Sequence, residues 1–212
     1  MSSALLTLAD SRLPAGGHAH SGGVEQAVAA GLVRDPASLA AFLLRRLATS
    51  GAVAAGLAAA ACRGEDLAAL DLEADARTPS PALRAASRQQ GRGLVRVGRR
   101  AWPSPAWDAL PAAPHHPVAI GVAAAAGGLA ARDAAAAAAY LSVSGPATAA
   151  QRLLAMDPLT VAAVTARLAP EIDAVAEDCL SRANGEIPAD TDPLLDLLAE
   201  VHATRGDRFF AS

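Results

Sequence analysis

Val118-Ala-Ile-Gly-Val-Ala-Ala-Ala-Ala-Gly-Gly-Leu-Ala-Ala-Arg-Asp-Ala-Ala-Ala-Ala-Ala-Ala139 is the stretch that decides the fold class. Alanine fixes no side-chain rotamer when it enters a helix, and it heads the helix-propensity ranking. Gly127-Gly128 and Arg132-Asp133 interrupt the run, so it reads as two helices with small-residue faces that pack closely. The rest of the chain has the same character. Its 212 residues include 58 Ala and 27 Leu against 13 Val and 3 Ile, which disfavours a β-sandwich or a parallel sheet core. The 14 Pro and 17 Gly cut the helical text into short pieces. We expect an all-α fold: a single-domain bundle of roughly eight to eleven short helices spanning residues 1–212.

Outward from that stretch, Leu5 to Leu8 begins a short helix that stops by Pro14, and Pro14 to Gly23 is a small-residue loop. Val24 to Ala30 is a short helix closed by Gly31. Pro36 to Ala61 is one long helix or two, with Leu39, Leu43 and Leu47 on one stripe. Arg77 to Pro81 is a turn, Pro81 to Arg100 a helix, and Ala101 to Pro117, with five prolines and both Trp, a loop or linker. Gly145-Pro146 is read as a break, followed by helices at Ala147–Ala155 and Leu159–Leu168. Pro170 opens an amphipathic helix with Ile172, Val175, Ala176, Cys179 and Leu180 on one face, ended by Asn184-Gly185. Asp192-Pro193 starts the last helix as N-cap and first-turn proline.

Bulk composition excludes several chemistries. All 18 basic residues are Arg, so neither a Walker A lysine nor a lysine Schiff base exists. A formal net charge of -3 is not the footprint of a nucleic-acid binder. Cys62 and Cys179 lie far apart in apolar helical text and make no metal or redox pair. Met1 to Leu13 lacks a basic segment and makes a poor signal peptide. The uncharged run Val118–Ala131, 14 residues long, falls short of the about 20 that a bilayer span needs. The expectation is a cytoplasmic chain without membrane or nucleic-acid partners and without a cofactor. Apolar residues make up 52% of it, which points to helix faces buried against another chain; a homodimer using the helices at 118–139 is the expected form.

Few residues suggest chemistry. His18-Ala-His20 places two imidazoles on one side of an extended loop, and Asp10 or Glu25 could add a carboxylate. Without a third ligand at fixed spacing, these are weak metal candidates, and a hydrogen-bonded loop is the plainer reading. His115-His116, between Pro114 and Pro117, reads as a loop and helix start. Arg84, Arg88, Arg92, Arg96 and Arg100 form a slanting basic stripe, suited to an acidic protein surface or to RNA, or else to the acidic helix at 171–178 of the same chain. No G-x-S-x-G and no paired-carboxylate motif is present. Arg208-Phe209-Phe210-Ala211-Ser212 is read as a partner anchor, its alternative being a tail folded back on its own core.

Leu8-Ala-Asp10-Ser-Arg-Leu-Pro14-Ala-Gly16-Gly-His-Ala-His20-Ser21-Gly-Gly23-Val-Glu25 resembles the N-terminal signature of the UreF family of urease accessory proteins. His18 stands where that signature has an aromatic, and Val24 where it has Leu. Arg84-Ala-Ala-Ser87-Arg-Gln89-Gln-Gly91, His115-His-Pro-Val-Ala-Ile-Gly121, Ala149-Ala-Gln-Arg152-Leu-Leu and the closing His202 and Arg208–Ser212 resemble further family segments. Ala82, Asp157 and Pro158 depart from it. The resemblance implies an all-α dimer with no catalytic centre. It also implies a bridge between a UreD/UreH-type protein and the UreG-type GTPase for GTP-dependent nickel insertion into the urease apoenzyme. Arg208, Phe209, Phe210 and Ser212 are carried over as the docking tail (about 203–212), which with the N-terminal segment is expected to be flexible or partner-bound. His20, Ser21, Glu25, Arg84 and Arg152 are carried over as partner-binding positions. Two other functions compete with this one: a metal-dependent hydrolase built on His18 and His20, and a helical nucleic-acid regulator built on the arginine stripe.

Overall fold

A computed structural model describes residues 2–10, 12–182 and 186–212. Among these residues the chain forms eleven α-helices and no strand. In chain order they are α1 (Ser3–Ala9), α2 (Val24–Ala29), α3 (Pro36–Arg46), α4 (Ala52–Cys62), α5 (Leu67–Ala76), α6 (Pro81–Ala101), α7 (His116–Ala126), α8 (Ala131–Leu153), α9 (Pro158–Arg167), α10 (Ala169–Ser181) and α11 (Pro193–Thr204). The predicted helix end at Asn184-Gly185 lies outside the described residues.

Capping explains why the helices start where they do. Asp35, Asp66, Asp157 and Asp192 each accept a backbone N–H of the first turn, and Ser80 does the same for α6. Each such cap contributes about 1 kcal/mol. Helix α5 was not anticipated from the sequence. Its start signal is Asp66, whose carboxylate accepts from Ala68 N and Ala69 N, but its alternating Leu, Asp and Ala residues show little periodicity.

At the centre lies α4, packed on α7, α8 and α10. The two Ala-rich helices predicted at 118–139 are α7 and α8. Val118 to Ala124 are all buried in the chain's own core, so this face is not open to a second copy as expected. Helices α3 and α4 are joined by a π turn, Leu47–Gly51, making one continuous helix from Pro36 to Cys62. Among the described residues this is the one helix long and apolar enough to cross a membrane, and half of its most apolar window is buried in the fold.

Two other expectations are corrected. The Ala101–Pro117 segment is not a linker: its 3₁₀ turn Pro105–Ala109 inserts a fully buried Trp107 against Gly98, with Trp107 Nε1 donating to Trp102 O at 2.8 Å. Gly145-Pro146 is not a break: α8 runs straight through it. Proline removes the N–H that would reach the carbonyl four residues back. Here that carbonyl belongs to Ser142, and Arg46 Nε donates to it at 3.0 Å. The interior proline is therefore tolerated because a side chain from α3 replaces the missing donor.

Candidate functional site

The N-terminal signature and the C-terminal tail, far apart in sequence, meet in one cluster. The loop before α2 turns tightly at Gly22 and Gly23, both at positive φ. The turn presents Ser21 and Glu25 inward, where both are buried. The tail returns from α11 and lies along this loop. Ser21 N donates to Ser212 O at 2.5 Å and Ala211 N to Ala19 O at 2.7 Å. His20 Nδ1 lies 2.6 Å from Ser212 Oγ.

Glu25 is the hub. It is only 3% exposed, and it accepts from Phe209 N at 2.8 Å on Oε1 and from Phe210 N at 3.0 Å on Oε2. His202 Nε2, itself 2% exposed, lies 2.9 Å from Oε2. Burial pushes the Glu25 carboxyl up, but the two tail amides and His202 outweigh it and hold the group below the usual carboxylate range. Arg205 reaches Gln26 Oε1 at 3.1 Å and ties the same two segments at the rim.

This geometry separates the two phenylalanines. Phe210 is partly buried and packs on the main apolar core, whereas Phe209 is 86% exposed. The fold-back reading applies to Phe210, while Phe209 faces out. Arg208 is exposed beside it.

His18 and His20 line a cavity of about 1090 Å³ that is also lined by Arg46, His116, Arg152 and Ser144. Among the described residues no group of three His, Cys, Asp or Glu side chains could hold a metal ion. Burial lowers the His20 pKa, with His18 adding to the effect. Burial likewise pushes His116 down to about 4, with His20 contributing, so both rings are neutral at pH 7. Cys179 is buried and its thiol is pushed up to about 11 by burial, which makes it unreactive.

A second polar cluster forms between α5, α6 and α7. Arg88 donates to Asp71 at 2.8 Å, to Asp75 at 2.6 Å and to Ala113 O at 2.6 Å. His115, buried to 1% exposure, places Nε2 2.9 Å from Asp75 and Nδ1 3.0 Å from Ser87 Oγ, while its N–H donates to Asp71 at 2.7 Å. Burial outweighs Asp75 and lowers the His115 pKa. Arg84 donates to Thr78 O and Pro79 O, closing the turn before α6. The arginine stripe therefore divides: its first two members bind α5 and the loops, while Arg92, Arg96 and Arg100 are exposed. The stripe does not meet the acidic helix, because Glu177 of α10 pairs with Arg132 and Asp178 with Arg182.

Sequence reasoning named Glu25 and noted His202 only as part of the terminal motif. It missed Asp71, Asp75 and Arg46. Nothing local in the sequence signals a pairing across 177 positions. The α6 glycines carried a usable signal: a Cβ at Gly91 would overlap Pro114 O, and one at Gly93 would overlap Ala15 O. These close approaches bring α6 against both the His115 loop and the signature loop.

Comparison with known proteins gives the family. A family model named UreF matches residues 33–169. The chain is 56% identical over 212 residues to the urease accessory protein UreF of Mycolicibacterium vanbaalenii, covering 98% of this chain and 97% of that protein. It is 53% identical over 210 residues to the UreF of Mycobacterium marinum and 49% identical over 210 residues to that of Mycobacterium tuberculosis, with the same coverages. Family model and near-full-length identity together place this all-α chain in the UreF family of urease accessory proteins, which assist an enzyme rather than act as one.

Proposed function

We propose that the chain is a non-enzymatic scaffold in the cytoplasm, working as a homodimer. It bridges a UreD/UreH-type protein and a UreG-type GTPase so that nickel, the cargo, enters apo-urease in a GTP-dependent step. The observation that supports this reading is the clamped tail. Glu25 holds the backbone of residues 209 and 210, so the Phe209 ring stands in solvent on a fixed support. A large apolar ring on an ordered backbone loses less entropy on docking than one on a loose tail, and it suits the centre of an interface. Arg208 and Ser212 flank it as the polar rim of the same surface. His20, Ser21 and Glu25 build its support, and Arg84 and Arg152 are proposed as outlying contacts.

The test is capture of a UreD/UreH-type protein by the purified chain. Phe209→Ala should abolish capture while leaving the fold intact, since Phe210, not Phe209, packs on the core. Full capture by Phe209→Ala would refute the tail assignment. Size-exclusion chromatography of the chain alone, then with both partners, tests the homodimer and the bridge.

A further inference from the structure

We propose that the Arg46 guanidinium is a binding site for a small oxyanion, a carboxylate or a phosphate, on the wall of the large cavity beside the Ser21-Gly22-Gly23 turn. The cavity wall also carries His20, Arg152 and Ser212 of the partner surface proposed above, but Arg46 is not part of that surface.

Arg46 is the last residue of α3, just before the π turn. Its Nε–H is used on the carbonyl that Pro146 leaves without a helical donor. A guanidinium has five N–H donors, so four remain on the two terminal nitrogens. Among the described residues no carboxylate lies within ion-pair distance of them. Its neighbour Arg45 is the contrast: it forks onto Asp192 at 2.8 and 2.9 Å. Five aspartates share the cavity wall with Arg46. Asp10 is held by Arg12 and Asp192 by Arg45, and Asp173, Asp190 and Asp196 make no ion pair with Arg46.

The Arg46 side chain is half-buried, and its two terminal nitrogens stay open to the cavity. Burial alone pushes the Arg46 pKa down to about 10, so the group stays charged at pH 7 with no acid to balance it. A neutral amide donor would satisfy Ser142 O, so the positive charge is available to a ligand.

The fork is also held in place. A Cβ on Gly22 would stand 3.3 Å from Arg46 Cζ and 2.7 Å from Pro146 Cγ. The guanidinium is therefore confined between the signature turn and α8, and only glycine fits there. Ser144 and His116 line the same cavity. A planar fork with two free terminal nitrogens matches two oxygens of a carboxylate or phosphate.

The test uses the full chain at constant ionic strength, with sodium chloride replaced stepwise by sodium phosphate or by sodium acetate. Two signals are read: the thermal midpoint and the NMR resonances of the Arg46 Nε–H and the His116 ring. Wild type should show a saturable, one-to-one shift of both resonances with at least one anion and a raised midpoint; the anion that binds tighter names the ligand class. Arg46→Gln keeps a donor for Ser142 O and should lose affinity by about tenfold or more, whereas Arg46→Lys should retain part of it. A folded Arg46→Gln protein that binds as tightly as wild type would overturn the proposal. So would a wild type whose resonances do not saturate with either anion, a result that does not depend on any variant folding.

Discussion

Two buried clusters in this molecule contain the same chemistry and do different things. In one, Glu25 and His202 join the signature loop to the tail. In the other, Asp71, Asp75, Arg88 and His115 join α5, α6 and α7. Each pairs a histidine with a carboxylate at 2.9 Å. The second is closed: its donors and acceptors are used among neighbouring helices, and it exposes nothing but the sides of Arg88 and Asp75. The first uses its acceptors on backbone amides of the tail, so the side chains of residues 208 and 209 are left pointing outward. Asp71 also accepts a main-chain N–H, that of His115, but inside the core; Glu25 holds the main chain of a terminal tail, and what is held decides whether a surface is presented.

Breaking the closed cluster should have the largest effect. Arg88→Ala leaves the buried Asp71 carboxylate without its cation and should lower stability by about 3–5 kcal/mol, read as a lower urea midpoint. Acidification acts on His115 of the closed cluster and on His20 and His116 outside both. His20, His115 and His116 all have lowered pKa values in the fold, so the unfolded chain binds more protons as pH falls below about 6.5. Their contribution is complete above that pH and is lost as the pH falls through the lowered folded values, about 4 for His116. A urea-midpoint series from pH 7 to pH 4 checks the sign. A flat series would mean that these rings are not buried as neutral groups.

Glu25→Gln should act locally. It weakens two charge-assisted bonds to the tail by about 1–3 kcal/mol in total. Amide exchange at residues 209 and 210 should accelerate roughly 10- to 100-fold, while the slowest core amides of α4 change little. Phe209→Ala should have the smallest effect on stability, within about 0.5 kcal/mol, because the ring is 86% exposed, and the largest on capture of the proposed partner. If Glu25→Gln and Arg88→Ala were to alter tail exchange and global stability equally, the distinction between the clusters would fail.

The helices were legible where local chemistry decides them. Asp192-Pro193 and the Ala text at 118–139 state their own conformation. Pro146 misled because its tolerance depends on Arg46, a hundred positions away, and Trp107 misled because proline-rich text can also fold as a packed plug. The site was legible in its parts, since His20, Glu25 and Phe209 could each be singled out. That Glu25 grips main chain rather than metal, and that the two phenylalanines take opposite directions, are properties of the tertiary contact and have no local signature.

The π turn at Leu47–Gly51 has a mechanical consequence. Leu39, Leu43, Leu47, Gly51, Ala55 and Ala59 are all buried although they recur every four residues. In a regular helix each such step drifts about 40°. One wider turn in the middle offsets part of that drift, where the one-sided α3 gives way to α4, which is buried on nearly every side. Shortening this segment by one residue would turn everything after it by about 100°, and the small-residue teeth of α4 would no longer mesh with α8.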